Sequence, residues 1–402
     1  MVEAIATGYD LDTARAALPA LAEYTYLNVG TEGLVAEPVL AEYLAATAAH
    51  DRYGHVGIAR AVEETEAART RLAALLRCDT DELAFAHNAT DGTTLFASSV
   101  AWPTDGTAEV IISNEEHPAI IQPWYALAQR GGPRVRQFAV SLDADETLTN
   151  FAAVLSERTV AIAVSYVSCE TGIRLPVRDM CQMSRERGAW CFVDLAQAVG
   201  QFDLSPRDLG ADVAASNGHK WLCGPKGSGF LWVAAERLDE LEPRFGAGTY
   251  TLGPLRETYT DGVSPHLTPV PSARRFEYGT RNFSPAAGLD AALRYRETLG
   301  PAAIEAHQAA LSTRLKRDLA AIPGVTVHTP LAWERSCGLV AFSLAGWHGT
   351  DLSRLLWDEY RVIQRRVERP SGVRVSVAYF TSDADCARLC EVVEHVGRRE
   401  RE

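Results

Sequence analysis

Hydrophobic positions recur at helical spacing over residues 35–50 and 60–77, where Ala, Leu and Glu divide between an apolar and a polar face. Short apolar runs at 109–112, 160–166 and 190–193 have no such period and predict buried strands. Helical patterns at 118–130 and 176–187 lie between them. Strands alternating with helices predict an α/β fold with a parallel sheet covered on both faces. Residues 244–283 are richer in Gly, Pro, Thr and Arg and read as irregular. A strong helical pattern then fills 285–321. Strands are predicted at 324–328, 337–345 and 372–379, and helices at 350–360 and 383–398, which makes an α+β terminal unit. The chain of 402 residues is long enough for two domains. The expected division is an N-terminal segment 1–24 packing on the small domain, a large domain 25–283 and a small domain 284–402. There is no internal repeat and no low-complexity stretch.

Composition narrows the class. Hydrophobic residues make up 47% and charged residues 23%, as in ordinary globular proteins. No apolar run approaches the ~18 residues that span a bilayer. The start, Met1-Val2-Glu3-Ala4, lacks a basic segment followed by an apolar one, so a cytoplasmic location is expected. A net charge of −13 argues against a nucleic-acid partner, which calls for a basic footprint. The eight cysteines include no CxxC pair, and Cys386 and Cys390 have no accompanying His/Cys pair. Reduced thiols and no metal site are expected.

Lysine is the informative residue. It occurs only at Lys220, Lys226 and Lys316, while arginine supplies nearly all the positive charge. A retained lysine points to chemistry that a guanidinium cannot perform, because an amine can lose its proton and act as a nucleophile. Lys220 stands in Ser216-Asn217-Gly218-His219-Lys220-Trp221, ahead of the glycine-rich turn Gly224-Pro225-Lys226-Gly227-Ser228-Gly229. That turn is not a Walker A sequence. Asp194 ends the apolar run Trp190-Cys191-Phe192-Val193, with Gln197 three residues on. Ligands of open α/β sheets bind at such strand ends, although by itself an acid there reads equally as a helix cap. The run His87-Asn88-Ala89-Thr90-Asp91-Gly92 is a polar turn opening a helix. It suits a phosphate, and a plain N-cap is the simpler reading.

Together, Asp194-Leu195-Ala196-Gln197-Ala198, Asp212, Ser216-Asn217-Gly218-His219-Lys220 and Gly224-Pro225-Lys226-Gly227-Ser228-Gly229 resemble the class V aminotransferase family. This fold-type-I group depends on pyridoxal 5′-phosphate (PLP) and includes cysteine desulfurases and isopenicillin N epimerase-like enzymes. The resemblance covers nearly the whole chain, and the spacing from Asp194 to Lys220 is its most specific part. It implies a large PLP-binding domain, a smaller C-terminal domain and these roles. Lys220 holds the cofactor covalently, Asp194 partners its ring nitrogen, Gln197 contacts the ring oxygen, and His117 of Glu115-Glu116-His117-Pro118 stacks on the ring. Ala89, Thr90, Asn217 and His219 contact the phosphate. Gly279-Thr280 reaches the phosphate of a neighbouring subunit, which implies a homodimer. Arg374 of Gly372-Val373-Arg374-Val375-Ser376 clamps the substrate carboxylate, and Asn28 borders the substrate.

Two departures matter. Cys169 stands where relatives often carry an Asn that contacts the ring oxygen. Residues 361–370, ahead of Arg374, are short and contain no cysteine, whereas desulfurases carry a nucleophilic Cys there. The resemblance therefore implies a lyase that removes a thiolate from Cβ of an S-substituted cysteine, similar to lyases of secondary metabolism. Epimerisation, transamination and decarboxylating deamination are the alternatives, and desulfuration is disfavoured. A PLP-domain transcription regulator would need a basic DNA-binding module, for which this acidic chain has no room.

Overall fold

The continuous apolar runs form the middle of a seven-stranded sheet. The structure, a computed structural model, describes residues 8–103, 105–243, 250–251 and 268–399. Across the sheet the strands are Leu83–Ala86, Gly229–Val233, Val213–Ser216, Trp190–Asp194, Thr159–Ser165, Glu109–Ser113 and Arg134–Phe138. From Val213–Ser216 to Arg134–Phe138 all neighbours are parallel. Gly229–Val233 is antiparallel to both of its neighbours. Ala161 to Val164 and Cys191 to Val193 are 0% exposed. Both faces are covered by helices, so these strands read as unbroken apolar runs instead of alternating ones. Ala89–Ser99 and Pro118–Ala128 cover one face, where Phe96 stacks on Phe192 with ring centroids 5.4 Å apart. Ile58–Leu76, Val177–Arg185 and Ser284–Leu299 cover the other.

A second, four-stranded antiparallel sheet has the order Val325–Val327, Leu339–Leu344, Ser371–Ser376, Arg365–Glu368. Helices Pro301–Ala321, Gly349–Asp358 and Asp383–Arg399 close its core around Leu315, Phe342, Leu352 and Val393. The pair Thr25–Tyr26 runs parallel to Val362–Ile363 and ties the start of the chain to this unit. Arg15 adds an ion pair to Asp385 at 2.6 Å.

The expected helix at 285–321 is two helices. Gly300, with φ 82°, ends Ser284–Leu299, and Pro301 opens the next. Pro cannot donate a backbone hydrogen bond, so it fits the first helical turn. Of the irregular stretch 244–283, only 250–251 and 268–283 lie among the described residues. There Thr268–Pro269 pairs antiparallel with Tyr250–Thr251. No described helix is long and apolar enough to cross a membrane. All eight cysteines are free thiols.

Lys316 is fully buried, and its ammonium donates to the carbonyls of Pro330 and Leu331 and to Ser336 Oγ at 2.8–2.9 Å. Burial pulls its pKa down to about 8, but three acceptors match its three N–H groups, so it stays charged at neutral pH. Lys316→Met would leave those acceptors buried without a donor. It is expected to cost roughly 3 kcal/mol, seen as a lower urea midpoint at an unchanged denaturant slope.

Candidate active site

The carboxyl ends of the parallel strands form the floor of the site. Asp194 ends its strand in register with Ser165 on one side and Ala215 on the other. Beyond Val213–Ser216 the chain turns through Asn217 and His219 to Lys220, and backbone bonds hold this turn. His219 O accepts from Gly33 N at 2.7 Å, and Lys220 O accepts from Cys223 N at 2.9 Å. A Cβ at position 33 would lie 2.3 Å from Lys220 O, so only glycine allows this approach. The buried Arg296 donates to Trp221 O at 3.0 Å and to Gly200 O at 2.6 Å, which pins the residue after Lys220.

A cavity of about 290 Å³ opens at these strand ends. Lys220, Asp194, Gln197, His117, Ala89, Thr90, Asn217, His219 and Cys169 all line it, joined by Thr31, Asn88, Ala119, Ala196 and Arg365. The expected cofactor residues of this one subunit therefore meet in one place. Gly279 and Thr280 lie apart: Thr280 lines a different cavity of about 180 Å³ with His87, Asp91 and Arg281. Arg374 borders the site from behind, donating to Cys169 O and to Thr31 Oγ1, the latter at 3.2 Å. Asn28 does not line the cavity; its Oδ1 is buried without a hydrogen-bond partner among the described residues.

Local structure orients each group. Asn88 caps Ala89–Ser99 by accepting from Asp91 N at 3.0 Å, which presents the helix start at Ala89 and Thr90 to the cavity. Asn217 Oδ1 accepts from Ala89 N at 2.8 Å, which leaves the Asn217 amide hydrogens as donors. His117 caps Pro118–Ala128, its Nδ1 accepting from Ala119 N at 3.1 Å, so the ring proton sits on Nε2. Gln197 donates to Gly30 O at 2.7 Å and accepts from Trp221 Nε1 at 2.8 Å, leaving one amide hydrogen. Asp194 Oδ1 accepts from Ala196 N at 2.8 Å.

Burial dominates the electrostatics. It pushes the Asp194 carboxyl up and the Lys220 amine down, and each charge opposes the shift of the other. It drives His117 down to about 3, helped by Lys220, Arg365 and Arg374, and His219 down to about 4, helped by Lys220. Cys169 rises to about 12. Arg374 falls to about 10 and remains a cation at neutral pH. His117 is therefore a neutral ring. The pH–rate profile is expected to show no His117 limb between about pH 5 and 8. An acid limb in that range that disappears in His117→Asn would contradict this.

This donor set fits PLP. A lysine amine held toward its neutral form suits covalent attachment, and a buried carboxylate suits a ring nitrogen that carries a proton. The helix start with the Asn217 amide suits a phosphate. The buried His219 Nδ1 and Arg374 Nε have no hydrogen-bond partner among the described residues. A buried donor is seldom left so unless a ligand completes it.

The class-V aminotransferase family matches residues 34–389. The isopenicillin N epimerase of Streptomyces clavuligerus is 34% identical over 334 residues, covering 81% of this chain and 83% of that protein. A probable cysteine desulfurase of Streptomyces coelicolor is 31% identical over 372 residues, 86% of each chain. Among solved structures, the cystine C–S lyase C-DES in complex with its product cysteine persulfide superposes with a TM-score of 0.84. It is 25% identical, with 94% of this chain and 99% of that one covered. A lysine-to-alanine mutant of C-DES, with glycine covalently linked to its PLP, gives 0.84 at 26% identity. Fold and comparisons define a fold-type-I PLP-dependent enzyme. The chain belongs to the class-V aminotransferase family.

Arg365 lines the cavity, a placement the sequence left open. The pair Arg365-Arg366 reads equally as a reader of a second acidic group or as a surface salt bridge. The strand separates the two. Arg366 is bound outside to Glu368 at 2.8 Å, and Arg365 lines the cavity opposite Arg374 in register.

Proposed function

We propose that this enzyme is a C–S β-lyase that removes a thiolate from Cβ of an S-substituted cysteine. The observation that carries this reading is the segment before Arg374. Residues 361–370 contain no cysteine, and Arg365–Glu368 pairs along Ser371–Ser376 as a strand. A desulfurase needs a nucleophilic thiol there to receive sulfur. An eliminating enzyme needs no such group. The likeness to C-DES, titled a cystine C–S lyase, supports the same reading.

In this reading Lys220 would hold the cofactor, Asp194 its ring nitrogen, and Ala89, Thr90, Asn217 and His219 its phosphate. His117 would lie against the ring. When bound, PLP supplies an electron sink for a carbanion at Cα. Arg374, bordering the cavity, would take the α-carboxylate of a bound substrate and so orient its Cα–H bond. The Lys220 amine, which lines the cavity and is held toward its neutral form, would take the Cα proton. The electron pair forms the Cα–Cβ double bond as the Cβ–S bond breaks, and thiolate leaves. Hydrolysis then gives pyruvate and ammonia. Arg365 faces the same space and suits a substrate whose sulfur substituent carries a second anionic group. Thr280, which lines a different cavity from Lys220, would with Gly279 serve a second subunit of a homodimer.

Epimerisation, favoured by the 34% identity to isopenicillin N epimerase, is the second reading. It needs a second group that exchanges protons opposite Lys220. The other titratable groups lining the cavity include His117 and His219, held neutral, and Cys169, held as a thiol. None of these three changes charge near neutrality, which favours elimination. Assayed with S-substituted cysteines in D₂O, the enzyme is expected to release thiol and pyruvate in equal amounts. Deuterium entering Cα of intact substrate without pyruvate would select epimerisation. Alanine with persulfide on a protein cysteine would select desulfuration.

A further inference from the structure

Behind Asp194 lies a second buried carboxyl group that the chemistry above does not use. Glu116 is 5% exposed and sits between strand ends. Ser113 Oγ lies 2.6 Å from its Oε1, and Ser165 N donates to its two oxygens at 3.0 and 3.1 Å. Ser165 Oγ lies 2.5 Å from Glu116 Oε2 and 3.4 Å from Asp194 Oδ2. One hydroxyl thus stands between two carboxyl groups in a buried place. Its neighbours in the chain face elsewhere: Glu115 accepts from Ser168 and Thr171, and His117 lines the cavity. Asp194 is the charged group that acts on Glu116.

A serine hydroxyl carries one proton and can donate to only one of the two. Were both carboxyls ionised, one of them would face an oxygen lone pair and a like charge with no cation between. Asp194 has the Ala196 N–H and the Lys220 amine to support its charge. Glu116 is sealed from the cavity and has only neutral donors, so it is the group that should carry the proton.

We propose that Glu116 is a positioning residue: it holds a proton, donates it to Ser165 Oγ, and so frees the Ser165 hydroxyl to donate to Asp194. The charge of Asp194, and with it the proton on the cofactor ring nitrogen, is then set by a Glu116–Ser165–Asp194 relay. Burial pushes Glu116 up to about 7, with Asp194 adding to the shift, so the relay turns over near neutral pH. Above that point Glu116 is ionised, the Ser165 hydroxyl turns to donate to it, and Asp194 keeps only its other donors. This holds whichever bond the enzyme breaks.

Infrared spectra of the holoenzyme test it. A protonated-carboxyl band is expected at pH 6, absent in Glu116→Gln and fading as pH rises past about 7. By linkage, Asp194→Asn should move that loss to lower pH and Ser165→Ala to higher pH, since each acts on Glu116 in that direction. Glu116→Gln, whose amide can still donate to Ser165, should keep wild-type PLP affinity with a flat pH dependence. Ser165→Ala should bind PLP about tenfold more weakly. The relay is overturned if no such band exists at pH 6, or if the Gln variant binds PLP as poorly as Ser165→Ala.

Discussion

The Lys220→Ala enzyme is expected to lose turnover by about 10⁴-fold while remaining folded and still able to bind PLP reversibly. In the proposed mechanism two roles vanish together, the covalent attachment and the base at Cα. Their loss is not additive, because each depends on the same amine at the same place. The surroundings explain why no neighbour substitutes. His117 and His219 are held neutral by burial and by nearby cations, and Cys169 is held protonated. Lys220→Arg should fare no better, since a guanidinium keeps its charge and cannot attach to the cofactor. Rapid dialysis should strip PLP from either variant, and added primary amines should restore part of the rate to Lys220→Ala. Retention of a tenth or more of wild-type activity by either variant would remove Lys220 from its place in the account.

Arg374 carries the second large effect. Its guanidinium is fully buried, and one nitrogen, Nε, has no hydrogen-bond partner among the described residues. The other two nitrogens tie Cys169 and Thr31, which brings the strand Ser371–Ser376 against the wall of the cofactor cavity. Arg374→Met loses both the charge and the fork. A buried charge pair broken on one side costs about 2–5 kcal/mol, so kcat/KM should fall roughly 30- to 4,000-fold. Most of the loss should sit in KM if the fork only binds, and in kcat as well if it also sets the Cα–H bond. Circular dichroism and thermal melting separate this from a folding defect. A variant with unchanged kcat/KM would show that the substrate carboxylate is held elsewhere, with Arg365 the next candidate.

The fold was legible where burial is two-sided. Continuous apolar runs at 160–166 and 190–193 became central strands because helices cover both faces. Arg134–Phe138 was not legible. It lies at the sheet edge and is largely exposed, so its sequence has no apolar signature. The break at Gly300 was hidden because the helical pattern continues on both sides, and only the backbone turn separates two helices.

The site divides in a similar way. Lys220 stood out because lysine is rare here, and the motifs around Asp194 and Asn217 are local in sequence. Arg365 needed the strand pairing to distinguish it from Arg366. Glu116 and Ser165 carried no signal at all. They are 49 residues apart and meet Asp194 only through the register of a parallel sheet, which no local pattern encodes.

Whether Lys220 alone anchors PLP is directly measurable, because the chain has only three lysines. The holoenzyme would be reduced with borohydride, digested and mapped by mass spectrometry. One pyridoxyl-phosphate adduct is expected, on the peptide that carries Lys220, with Lys226 and Lys316 unmodified. An adduct on either of those lysines, or none on a protein purified with PLP, would contradict it.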